Sequence, residues 1–109
     1  MMRQSPVSDR RLLTLVRMLP AVTVQNTLMA CEDRNIAVCI LYYTQDERDE
    51  VLSHVHGRKA NRIRDEYVFL KSRNVKAGDH RRITDHIIHR LAGGRTVLPI
   101  SSYRKPGSG

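Results

Sequence analysis

The chain has no tryptophan, only one phenylalanine, and an aromatic content of 5%. A core without large rings has to be filled by Leu, Ile, Val, Met and Ala, which interlock best on packed helices. Cysteine is nearly as scarce. Cys31 and Cys39 are the only pair, both in apolar helical stretches, and they read as buried free thiols of a reducing compartment rather than a disulfide framework. No apolar run approaches the ~20 residues that cross a bilayer. The start, Met1 to Ala21, is basic and then apolar, but Arg17 interrupts it. A leader needs ~7–15 uncharged residues in succession, so none is expected here, and the chain reads as cytoplasmic without membrane insertion. Also missing are a Gly-rich phosphate loop, a G-x-S-x-G elbow and an HExxH pair. Gly93-Gly94-Arg95 reads as a helix stop and not a nucleotide cradle. The expectation is a non-enzyme with no cofactor.

What is present is one small domain's worth of chain, 109 residues with a net charge of +8. That charge is lopsided. Residues 1–54 hold 6 Lys+Arg against 7 Asp+Glu, a balance of −1, and residues 55–109 hold 13 against 4, a balance of +9. The second half therefore points toward an anionic partner, whether nucleic acid, acidic lipid or an acidic protein face.

The apolar spacing predicts six short helices and almost no strand. Asp9 is placed to cap the first, from about Arg10 to Leu19, with Leu12, Leu13, Val16 and Leu19 inward. Pro20 ends it or opens the next, which repeats Ala21, Val24, Leu28 and Cys31. Asp33 reads as the cap of a third helix holding Ile36, Ala37, Ile40 and Leu41. Thr44-Gln45-Asp46-Glu47 has the form of a capping box and opens a fourth, with Val51, Leu52 and Val55 inward. Gly57 reads as its stop. A fifth helix, about Arg58 to Lys71, turns Ala60, Ile63, Tyr67 and Leu70 inward. Asp79 is placed to cap a sixth carrying Ile83, Ile87, Ile88 and Leu91, ended by Gly93-Gly94. The expected architecture is a compact six-helix, armadillo-like or orthogonal all-α bundle over residues 9–100. A flexible stretch 1–8 precedes it, Thr96 to Ile100 is a short extended piece, and a disordered tail covers 101–109.

From Leu12 to Tyr67 the chain resembles the C-terminal domain of the flagellar motor switch protein FliG. The likeness is carried by Leu19, Val24-Gln25, Leu28, Asn35-Ile36-Ala37-Val38-Cys39-Ile40, Glu47-Arg48-Asp49-Glu50, Gly57-Arg58-Lys59-Ala60 and Ile63-Arg64-Asp65-Glu66-Tyr67. It resumes after a length change at Val75-Lys76 and Ile87-Ile88-His89-Arg90-Leu91-Ala92. The resemblance implies that the fifth helix is a torque helix, offering charges to the cytoplasmic loop of the stator protein MotA. By position, Arg58, Arg64, Asp65 and Glu66 fall on the family's charged positions, and Lys76 on a basic residue just beyond the helix. The family's lysine at the end of the third helix falls on Leu41. The resemblance further implies the rotor proteins FliM, FliF and FliG as partners, motility and rotation switching as the role, and the inner face of the cell membrane in the basal body as the place.

The residues themselves agree with a contact helix. With one face turned inward at period 3.6, Arg58, Lys59, Arg62, Asp65 and Glu66 point outward. Arg62 and Glu66, four apart, are equally suited to a solvated pair within the helix. Two other functions fit the composition. A nucleic-acid-binding protein would use the basic residues from Arg58 to Arg82, although Asp65 and Glu66 interrupt the face and stacking aromatics are few. A scaffold module unrelated to motility would leave the charges exposed. The histidines His54, His56, His80, His86 and His89 supply no converging metal set and read as surface or helix-end residues.

Overall fold

The computed structural model describes residues 9–93. The extended piece and the tail expected after Gly93, and the flexible start, lie outside them. Six helices follow in order: α1 (Arg11–Met18), α2 (Ala21–Ala30), α3 (Asp33–Cys39), α4 (Gln45–Leu52), α5 (Gly57–Lys71) and α6 (Ala77–Leu91). There is no strand among the described residues, and the chain is a compact all-helical bundle.

The middle of the bundle is α3. At 7 residues it is too short to hold itself together in water, yet Ile36, Ala37, Val38 and Cys39 are all buried. Its broadest contacts are with α5 and then α6, while α1 lies on α6 and α4, and α2 on α6. Each of the other helices adds one apolar stripe to a common core: Leu12, Leu13 and Val16 from α1, Val24 and Leu28 from α2, Val51 and Leu52 from α4, and Ala60, Ile63 and Leu70 from α5. The stripe of α6 is His80, Thr84, Ile87 and Leu91, spaced four, three and four. Ile83 and Ile88, expected inward, only flank it. Ala21 faces solvent and Tyr67 is half-buried.

Helix ends show where local chemistry decides and where it is overruled. Thr44 and Glu47 form the reciprocal capping box, with Glu47 N donating to Thr44 Oγ1 at 3.2 Å and Thr44 N to Glu47 Oε1 at 2.9 Å. Asp9 accepts from the Arg11 amide at 3.2 Å, one residue ahead of the N-cap position. Gly93 closes α6 at φ 85°, the left-handed conformation that glycine adopts without a Cβ penalty. Three expectations are corrected. Gly57 does not stop α4, which ends at Leu52, but is the first residue of α5. Asp33 and Asp79 are not caps. The N-cap positions belong to Glu32 and Lys76, neither with a side-chain bond. Asp33 is the first residue of α3 and Asp79 the third of α6, inside the helices, where Asp33 pairs with Lys59 and Arg62 and Asp79 with Arg82.

Both cysteines are buried and free. Burial pushes the Cys39 thiol up to about 12, so it packs as a small apolar side chain.

His80 corrects the surface reading of the histidines. It is 3% exposed and lies against the Tyr42 ring at 5.3 Å between centroids. Burial lowers its pKa from 6.5, with the Asp9 carboxylate opposing. The unfolded chain then takes up the proton more readily than the folded one. His80's contribution is complete above pH ~6.5 and declines as pH falls toward the folded value. The expected result is a melting temperature that drops between about pH 7 and pH 5. That range lies above the one in which the carboxylates titrate, such as Glu47, held at about 2 by Arg10. His80→Phe should flatten that part of a pH-resolved melting curve, and an unchanged slope would mean that His80 is not its source.

Candidate functional site

With 15 residues, α5 is long enough to carry an inner and an outer stripe over its whole length. The inner one, Ala60, Ile63 and Leu70, locks it onto α3. The outer one runs Arg58, Asn61, Asp65, Val68 with Phe69, and Ser72, all exposed and spaced by three or four.

Lys59, expected outward, is 6% exposed. Its ammonium donates to the Cys31 carbonyl at 2.6 Å and to Asp33 Oδ1 at 2.8 Å, while Arg62 Nε donates to Asp33 Oδ2 at 2.8 Å. The cation therefore sits where α2 ends and α3 begins. A positive charge is favoured at the first of those ends and a carboxylate at the second, so the helix termini reinforce the pair. Burial works against the Asp33 charge, but Lys59 and Arg62 outweigh it and hold its pKa below the usual 3.8.

Arg62 thus lies on the outer surface but is committed to Asp33, and it makes no pair with Glu66. Glu66 accepts from Arg34 Nε of α3 at 3.1 Å. On the opposite flank Arg64 reaches Asp49 of α4 at 3.4 Å. Three of the six residues singled out in the sequence are therefore engaged within the fold, and they clamp α5 on both sides. Arg58 and Asp65 are exposed and have no ion pair among the described residues. Lys76 is exposed at the N-cap of α6, past the end of α5, and also has none. Leu41 is half-buried against the core.

The largest miss of sequence reasoning is Val68 and Phe69, exposed by 65% and 44%. A signal was available. Tyr67-Val68-Phe69-Leu70 is four apolar residues in a row, and a helix cannot turn four successive side chains to one side. Four cations rest on the aromatic rings here, one of them Arg34, which lies 6.0 Å from the Phe69 centroid and is also paired with Glu66. Arg48 lies 4.2 Å from the Tyr67 centroid, Lys71 5.5 Å from the same ring, and Arg73 4.2 Å from that of Phe69. Between α4 and α5 a groove of about 170 Å3 is lined by apolar Ile40, Leu52, Tyr67 and Val68 and by polar Gln45, Arg48, Arg64 and Asp49, the last paired with Arg64.

Among the described residues no group of three or more His, Cys, Asp or Glu converges as a metal site. No helix of the described residues is long and apolar enough to cross a membrane. The chain matches no family model, no curated protein and no solved structure.

Proposed function

We propose that this chain is a protein-docking module that presents the outer stripe of α5 to a partner. We further propose that, as its resemblance to the C-terminal domain of FliG implies, it is a rotor component meeting the cytoplasmic loop of MotA. The observation that carries the reading is the contrast along α5. Arg62, Arg64 and Glu66 are tied back to α3 and α4, while Arg58 and Asp65 stand on the same rigid helix without partners. Charges on a clamped helix lose little conformational freedom on docking. Each exposed pair contributes only ~0–1 kcal/mol, so contacts form and break quickly, as repeated stepping requires. The clamps also redistribute the residues inferred from the sequence: Arg58 and Asp65 touch the partner, Lys76 extends the surface, and Arg62, Arg64 and Glu66 position the helix. No catalytic step is assigned to the module.

Asp65→Lys is the direct test. It removes no internal contact, so circular dichroism and melting temperature should stay as they are. Association with the MotA loop should weaken about tenfold, or ~1.4 kcal/mol, and a reversed charge on the loop should restore it. Unchanged association would remove Asp65 from the interface. The nucleic-acid reading is checked by titrating duplex DNA or RNA at several salt concentrations. Steeply salt-dependent binding at micromolar protein would replace the docking proposal with a phosphate-binding one.

A further inference from the structure

The half of α5 beyond Asp65 has a chemistry that charge presentation does not require. Of its two exposed apolar residues Val68 is the more exposed, 65% against 44% for Phe69, and it also lines the α4/α5 groove. Arg48, Lys71 and Arg73 surround this apolar step, and none of them has a carboxylate partner among the described residues. Instead they rest on the rings of Tyr67 and Phe69. A cation held over a ring gains cation–π attraction and can still donate N–H bonds to a carboxylate. Arg48 already donates to the Tyr43 carbonyl at 2.6 Å, whereas Lys71 and Arg73 make no side-chain hydrogen bond among the described residues. Several arginines elsewhere are matched with acids, Arg10 with Glu47, Arg17 with Glu50 and Arg34 with Glu66, while Arg58, Arg81 and Arg90 have no ion pair among the described residues but stand beside no exposed apolar step. The unmatched cations around an exposed apolar ridge mark a surface that is complete only when acids arrive from outside.

We infer that the C-terminal half of α5, centred on Val68, docks an acidic amphipathic segment of a partner protein. Its apolar side chain enters the groove between α4 and α5, and its carboxylates meet Lys71 and Arg73. The groove volume suits such an anchor, since a dry cavity of about 150 Å3 accepts a benzene-sized group. A row of phosphates fits less well, because Asp65 stands one turn away on the same stripe and repels a continuous polyanion. The same aspartate would instead face a cation on the partner, which makes the docked segment basic at one end and acidic with apolar residues at the other. This inference rests on α5 being a docking face, and it holds whether or not the partner is a stator.

The experiment uses a fluorescent peptide of about 14 residues, roughly four helical turns, with Leu and Phe on one stripe and Glu on both flanks. Binding to the full chain is followed by anisotropy. Saturable binding is expected, weakened about tenfold by Val68→Ser with Phe69→Ser and about fivefold by Lys71→Ser with Arg73→Ser, all at exposed positions. Replacing the peptide's Glu by Gln should weaken it similarly. Asp65→Lys should tighten this peptide, which lacks the basic end, by removing a like charge. The same substitution weakens MotA-loop association, so the two readings fail separately. The inference is overturned by absence of saturable binding, by equal binding of the Gln peptide, or by indifference to both double substitutions. It is also overturned if an oligothymidylate of matched length displaces the peptide from this face.

Discussion

Ile36→Ala is expected to lower the unfolding free energy by about 3–4 kcal/mol. Ile36 is 0% exposed. It lies on α3, the helix with which both α5 and α6 make their broadest contacts. Shortening it opens a void that cannot collapse without moving one of those long helices. Domains of this size are held by only about 5–15 kcal/mol in total. The melting temperature should therefore fall by roughly 12–30 °C, at 4–8 °C for each kcal/mol. Scanning calorimetry would settle it. A drop of a degree or two would mean that α3 is not the centre of the core, and the account of how α5 is held would fall with it.

Lys59→Met is expected to be the next most damaging, by about 2–3 kcal/mol. The methionine can fill the space of the lysine stem, so the loss is electrostatic rather than steric. It leaves the Cys31 carbonyl without its 2.6 Å donor, and Asp33 with Arg62 alone. Removing the acid as well, with Asp33→Asn, should recover part of the loss, and a double-mutant cycle in urea measures how much. The effect should extend to docking, because Lys59 joins the start of α5 to the corner between α2 and α3. Association through Arg58 ought to weaken even at temperatures where the protein stays folded. If Lys59→Met melted like the parent, the buried ammonium would be an unneeded guest, and the corner would be held by apolar packing alone.

These two residues show how unevenly the sequence reveals its structure. Ile36 was legible, because apolar residues at helical spacing have few alternatives to the core, and periodicity reports that directly. Lys59 was not. Its place on the helix is adjacent to the inner stripe, and a charged residue at such a boundary is ordinarily solvated. Only the arrival of Asp33 and the end of α2, from 26 and 28 residues away, makes burial favourable. The same long-range pull explains Asp33 itself, which local rules assign to a cap and the fold assigns to an ion pair. His80 is a parallel case: α6 turns it inward beside Tyr42, on the stripe of Ile87 and Leu91, but with His80 and Thr84 supplying half of that stripe its apolar signal is weak.

The amino-acid sequence by itself determined the helical class, the six elements, the capping box at Thr44, the closing glycine at Gly93 and most of the apolar core. Each follows from local chemistry: periodicity, a hydroxyl three residues before an acid, a backbone that tolerates positive φ. It also placed the charged residues of α5. Tertiary structure alone decided which of them are spent and which are free. Arg62, Arg64 and Glu66 met partners on α3 and α4, while Arg58 and Asp65 met none among the described residues. The exposure of Val68 and Phe69 was decided in the same way, because a helix has two sides and only the position of its neighbours selects which one is covered.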